Sequence, residues 1–299
     1  MKRVALVINP AAGRGRAKRL LEQIRSRFSY VGEADISFTA GSGDEEELAT
    51  RAMDNGCDSI VVVGGDGTCA RVANAVLKAR KPCSLAVVPS GTGNDFAKTL
   101  GLANLSISEI AERVAAGKEQ KIDVGYVDGT YFLNSCGFGF VASVLEGTQH
   151  VRFLRGDSLY IYSALAQLFS YRGVSVSAES SYDSTVRRIL MLTVSNGRFL
   201  GGAFRIAPNA SVLDGLLDFG FVGDSNLIDR VRLFAGAFRG THLSLPSVKA
   251  ETARAMTLRF SAPPMMEVDG ELRHALSSTV KIECVPRALN VIAAPGYPV

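Results

Sequence analysis

Residues 61–68 read VVVGGDGT, and residues 69–78 continue as CARVANAVLK. A run of β-branched apolar residues fits a buried strand. Val72, Ala73, Val76 and Leu77 recur at helical spacing. Strand, glycine turn and helix, in that order, bring backbone N–H groups and a helix N-terminus to an anionic group. Gly64, Gly65 and Gly67 leave room for phosphate beside the main chain, and Thr68 opens the helix. Asp66 supplies a carboxylate for a magnesium ion or a hydroxyl proton. Standing alone, such a turn is as readily a structural one capped by Asp or Thr.

A second stretch shifts that balance. Residues 85–101 read LAVVPSGTGNDFAKTLG, again a short apolar run, a small-residue turn and a helical start. Asn94 or Asp95 is placed to cap that helix. Two phosphate-compatible turns on successive strands of one sheet line a single crevice at the carboxyl ends of the strands.

Working outward, strands are expected at residues 4–8, 36–39, 60–63 and 85–88. Helices are expected at 17–28, 44–54 and 106–116. Four consecutive acids at 44–47 suit a helix N-terminus. Such alternation predicts an α/β domain with a doubly wound parallel sheet over residues 1–125. After Gly125 the texture changes. Strands are expected at 131–134, 174–178, 188–195, 217–222, 256–260, 266–268 and 279–284, punctuated by Asp-Gly and Pro turns. Helices at 158–171 and 226–238 interrupt them. This predicts an antiparallel β-sandwich or barrel over residues 126–285, with residues 286–299 returning to the first domain through an apolar strand at 286–294.

With 47% hydrophobic and 21% charged residues the chain is globular rather than disordered. The net charge of +4 is spread evenly over both halves, which excludes a basic nucleic-acid arm. Five scattered cysteines without a CxxC fit reduced thiols in a cytosolic protein. No apolar stretch approaches the ~18–20 residues of a membrane span, so a cytoplasmic chain with peripheral contact at most is expected. A homodimer stays open.

Several motifs carry two readings each. In NPAAGRG (9–15), Lys18 stands where a dinucleotide fingerprint needs a third Gly or Ala. The cluster Arg14, Arg16, Lys18 and Arg19 meets phosphate or starts a solvated helix. Asp214-Gly215 is a hairpin turn or, with nearby carbonyls, a hard-cation site. VDGE (268–271) is a plain turn or a pair of carboxylates, one of which takes a hydroxyl proton. In residues 226–238, Leu227, Val231, Phe234 and Phe238 share a face, for packing or for docking on a membrane.

Taken together, NPAAG (9–13), GGDGT (64–68), PSGTGNDFA (89–97), IDVG (122–125), NSCGFGF (134–140), LDGLL (213–217) and VDGE (268–271) resemble the diacylglycerol kinase catalytic family in its soluble bacterial branch. Sphingosine kinases and NAD kinases are related. The resemblance spans nearly the whole chain. It implies a nucleotide-binding α/β domain joined to a β-sandwich, with ATP in the cleft between them and a lipid presented at a membrane surface. By resemblance, Asn9, Thr39, Gly64, Gly65, Asp66, Gly67, Thr68 and Thr92 correspond to nucleotide contacts. Glu271, with Asp269, corresponds to the acid that activates the lipid hydroxyl, and Asp66 to the acid of the glycine loop. Asp214, with the carbonyls of Ser211 and Leu216, corresponds to a Mg2+ site. The chain departs from the family at Cys69, at Ala70 and Arg71, where Asn and Glu are usual, and at Val141. NAD kinase, through the shared GGDGT, and a weakly catalytic lipid-binding or regulatory protein are the alternatives.

Overall fold

The computed structural model describes residues 2–41, 43–79, 81–148, 157–180 and 183–294. The early apolar runs are strands. In chain order come β1 (Lys2–Ile8), helices α1 (Ala12–Arg19) and α2 (Leu21–Phe28), β2 (Gly32–Phe38), α3 (Asp44–Asp54), β3 (Ser59–Gly64), α4 (Asp66–Ala79) and β4 (Ser84–Pro89). A short α5 (Asp95–Thr99), α6 (Ile107–Ala116) and β5 (Glu119–Val127) follow. The first four strands pair in parallel in the order β2-β1-β3-β4. Every residue of β3 is buried, as a strand covered on both faces must be. Leu6, Ile8, Val61, Val63, Ala86 and Val88 form one core with Ile24, Phe28, Ile110 and Val114 of the helices.

Local chemistry explains where the helices begin. The four acids 44–47 occupy the first turn of α3, favoured by the helix dipole. Ser106 and Glu109 form a reciprocal capping box on α6. Residues 17–28 do not form the single helix the spacing predicts. Gly13, Arg14 and Gly15 adopt left-handed dihedrals, and α1 and α2 meet at a break at Leu20.

Between residues 124 and 286 the pairing is antiparallel. The strands are β6 (Thr130–Phe132), β7 (Ser135–Gly139), β8 (Val174–Ser180), β9 (Asp183–Ser195), β10 (Leu217–Gly223), β11 (Val248–Ala253), β12 (Ala255–Phe260), β13 (Met265–Val268), β14 (Glu271–His274) and β15 (Thr279–Ile292). The helices are α7 (Phe140–Thr148), α8 (Asp157–Ser170) and α9 (Leu227–Arg239). The run of neighbours is β14-β13-β7-β9-β8-β12-β15, and β10 joins β9 to β11. Phe132, Phe138, Val194, Phe219, Leu258 and Ile282 fill this β-sandwich-like core. The strands expected at 279–284 and 286–294 are one, β15, which runs through Pro286 and ends at Ile292, and Asn290 and Val291 pair in parallel with Ser84 and Leu85.

The chain divides into two compact units, Met1–Asp123 with Arg287–Val299, and Val124–Pro286. Helix α9 is where the sequence places it, but its faces differ from the expected pattern. Leu233 and Ala237 are buried, and Phe234 and Phe238 pack their rings against Phe204. Leu227, Ile228 and Val231 stand exposed.

Candidate functional site

The turns that follow β1, β2, β3 and β4 in the first unit surround a cavity of about 510 Å³. Its wall is made by residues 9–13, residues 39–41, Gly65, Gly67 and Thr68, and Gly91, with Glu45 and Arg71 from α3 and α4. Asn9, Thr39, Gly65, Gly67 and Thr68 are therefore brought together. Gly64, Asp66 and Thr92 are not part of the wall. Gly64 is buried against Thr68, and Thr92 is exposed on the second turn.

Side chains lock these turns to one another. Asn9 Oδ1 accepts the N–H of Ala11 at 3.0 Å, while its Nδ2 donates to Thr68 Oγ1 at 3.1 Å. The Gly64 carbonyl accepts the N–H groups of Ser90 and Gly91 at 3.0 and 3.2 Å. Gly65 and Gly91 lie back to back. A Cβ on Gly91 would come within 2.4 Å of Gly65 Cα, and one on Gly65 within 3.1 Å of Gly91 Cα. This close approach requires glycine at position 91 and leaves little room for a side chain at position 65. Asn94 has left-handed dihedrals and does not cap α5. It instead bonds both backbone groups of Gly91, at 2.9 and 3.0 Å.

Asp66 begins α4, and its carboxylate accepts the Phe96 N–H at 3.0 Å. Among the described residues of the wall, two carry charge. Glu45, buried in the first turn of α3, accepts the Gly43 N–H at 3.0 Å and Arg71 Nη1 at 3.3 Å. The sequence singles out Arg71 as a departure. Glu45 was hidden in an acidic run read as a helix start.

In the second unit, VDGE is a two-residue hairpin turn. Val268 pairs with Glu271, and Asp269 and Gly270 both have positive φ, 46° and 84°. The same turn occurs at Asp128-Gly129, between Val127 and Thr130. Only the second turn buries its aspartate. Asp269 is 8% exposed, and its carboxylate accepts the N–H groups of Leu133, Asn134 and Ser135 at 2.6, 2.8 and 3.1 Å. It anchors the start of β7 to the hairpin. Glu271 is partly exposed and pairs with Arg273 Nη2 at 3.1 Å, while Arg273 Nη1 donates to Thr130 Oγ1 at 2.9 Å. Sequence reading missed Glu267. It is buried on β13 opposite Gly137 of β7, and accepts the Gly270 N–H at 2.5 Å.

Asp214 also lies in the second unit. Its Oδ1 accepts the Leu216 N–H at 3.0 Å, and Ser211 Oγ accepts the Leu213 N–H at 3.2 Å. Burial, and secondarily the charge of Asp214, push the Asp218 carboxyl up to about 6. Asp214 stands in the loop before β10 and Asp218 on β10 itself, and carboxylate and carbonyl oxygens are the kind of ligand that hard cations take. Among the described residues no cluster of three or more His, Cys, Asp or Glu is arranged to hold a metal ion. An ion here would rest on Asp214 and main-chain carbonyls.

Residues 3–127 match the family Diacylglycerol kinase catalytic domain, and residues 134–293 match the family YegS C-terminal NAD kinase beta sandwich-like domain. The chain is 30% identical to a diacylglycerol kinase of Bacillus subtilis (strain 168) over 273 residues, covering 91% of this chain and 90% of that protein. It is 30% identical to a diacylglycerol kinase of Mycobacterium tuberculosis over 301 residues, with 97% and 94% covered. Its fold matches the crystal structure of a diacylglycerol kinase from Bacillus anthracis (strain Sterne), with a TM-score of 0.77, 22% identity, and 99% and 98% covered. The chain belongs to the diacylglycerol kinase family and is an enzyme of the lipid kinase class. No helix among the described residues is long and apolar enough to cross a membrane.

Proposed function

We propose that this protein transfers the γ-phosphate of ATP to the hydroxyl of diacylglycerol or a closely related lipid. The observation that carries this reading is the cavity of the first unit, whose wall is built from four strand-end turns rich in small residues. Backbone donors at Gly65 and Gly67, where α4 begins, suit phosphate oxygens. Phosphoryl transfer asks chiefly for positioning and charge neutralisation, and such a cradle supplies both.

The roles divide between the units. Glu271, held by Arg273, takes the proton of the lipid hydroxyl. The hydroxyl oxygen then bonds to the γ-phosphorus, and the bond from that phosphorus to the β,γ-bridging oxygen breaks, leaving ADP. Asp269 is assigned a supporting part, since three backbone N–H groups already occupy its carboxylate. Asp66 holds the second glycine turn against the first. Asp214, with the carbonyls of Ser211 and Leu216, would hold Mg2+ and fix its own loop. A magnesium ion bound with the nucleotide supplies charge neutralisation on the phosphates.

The exposed Leu227, Ile228 and Val231 of α9 support peripheral contact with a lipid surface. Phosphorylation of NAD is the rival reading, favoured by GGDGT alone. ATP consumption measured over a panel of dispersed diacylglycerol, other long-chain alcohols and NAD, with mass detection of products, tests the choice. Turnover on diacylglycerol is expected. Turnover on NAD and on none of the lipids would overturn the reading.

A further inference from the structure

The nucleotide cavity contains a charge pair that a cradle of backbone donors does not need. Among the described residues of its wall, Arg71 and Glu45 are the two that carry charge. Arg71 lies five residues into α4, just over one turn past the glycine turn. Helical side chains lean toward the N-terminus of their helix. Arg71 accordingly shares the cavity wall with Gly67 and Thr68 of the first turn of α4.

Its partner is fixed in place. Glu45 is 3% exposed, and its Oε2 accepts both the Gly43 N–H and Arg71 Nη1. The 3.3 Å contact to Arg71 is long for a charged pair, whose usual range is ~2.7–2.9 Å. The Arg71 side chain keeps 27% of its surface open. A guanidinium that a buried carboxylate holds in the wall of a cavity, beside a helix N-terminus, is placed to meet an anion in that cavity. Its planar fork matches two phosphate oxygens at once.

Resting on the nucleotide reading above, we propose that Arg71 is a direct ligand of the nucleotide's phosphate chain. Glu45 holds it at the cavity wall. In this chain a side-chain cation thus joins the backbone donors in binding the triphosphate.

Calorimetry with ATP, ADP, AMP and adenosine, in magnesium, separates phosphate from nucleoside recognition. Arg71→Met is expected to weaken ATP and ADP binding ten- to a hundredfold and to leave adenosine within about twofold of wild type. Because Arg71→Met alone leaves the buried Glu45 carboxylate without its cation, the double variant Glu45→Gln/Arg71→Met is measured beside it. The double variant removes both charges and is expected to show the same ladder of losses. Equal losses for adenosine and ATP, or wild-type ATP affinity in either folded variant, overturn the inference. Gly65→Val separates it from the reading on which it rests. If Gly65→Val abolishes ATP binding and the Arg71 variants do not weaken it, only the role of Arg71 fails. If wild-type protein binds no ATP, or Gly65→Val binds it unchanged, the nucleotide site itself is misplaced and the inference falls with it.

Discussion

The Asp66 carboxylate accepts the backbone N–H of Phe96 at 3.0 Å and so ties the first glycine turn to the helix after the second. An aspartate that the sequence marks for chemistry is thereby also a structural brace. The two roles separate by substitution. Asp66→Asn keeps an oxygen for the Phe96 N–H and loses the charge. It is expected to fold with a near-normal denaturation midpoint and to lose most phosphoryl transfer. Asp66→Ala loses the brace as well and should cost a further ~1–3 kcal/mol by denaturant titration. Normal turnover in folded Asp66→Asn would reduce the residue to its brace.

The two acids of VDGE differ in the same way. Asp269 Oδ1 accepts two N–H groups and Oδ2 a third. In Asp269→Asn an NH2 group must face one of these donors, so the variant should be destabilised by about 1–3 kcal/mol. Glu271 is partly exposed and pairs with Arg273 at the surface. Glu271→Gln is expected to melt like wild type while turnover falls by about 10²–10⁴-fold, the usual contribution of a general base. Paired melting and turnover measurements check both. A stable but inactive Asp269→Asn beside an active Glu271→Gln would reverse the assignment.

Asp214 tests the proposed ion. A ligand that binds only the folded state stabilises it by about 2.7 kcal/mol at a hundred times its Kd. Wild-type protein is expected to melt at a higher temperature in magnesium than in chelator, and Asp214→Ala to lose that difference. If Asp214→Ala costs the same stability in chelator as in magnesium, no ion binds there.

His242 predicts a pH dependence. Its ring is buried, with Nε2 at 3.1 Å from the Ile206 carbonyl, and burial holds its pKa below the ordinary 6.5. The unfolded chain takes up a proton near pH 6.5, whereas the folded chain resists it. The stability from His242 is therefore complete above that pH and is lost as the pH falls through the lower folded value. Urea midpoints measured from pH 7.5 down to 5 should decline, and His242→Gln should decline less steeply. An equal slope in both proteins would remove His242 from the account.

Much of this architecture is legible in the sequence, because residues 61–78 and 85–101 switch from strand to helix period across glycine turns. What escapes depends on contacts between residues distant in sequence. Residues 279–294 look like two strands because Pro286 breaks the pattern. In the structure the strand passes through Pro286 and a left-handed Arg287, whose N–H is taken by Asp123 at 2.7 Å. The spacing on α9 places Leu227 and Val231 on the same face as Phe234, and sequence alone does not show that only its C-terminal half is covered. Val127–Thr130 and Val268–Glu271 carry the same Val-Asp-Gly turn. Burial of Asp269 alone follows from the backbone of residues 133–135, more than 130 positions away. Of the acids 44–47, the inward turn of Glu45 is set by the packing of α3 on α4, which brings Arg71 beside it.

The central claim is transfer of phosphate from ATP to a lipid hydroxyl. ATP labelled in its γ-phosphate, incubated with the wild-type protein, magnesium and dispersed diacylglycerol, tests it most directly. The account predicts that the label appears in the phosphomonoester of that lipid, identified by mass, in amounts equal to the ADP formed. It also predicts that transfer is lost in Glu271→Gln. Label recovered only as inorganic phosphate, or lipid phosphorylation undiminished in Glu271→Gln, would contradict it.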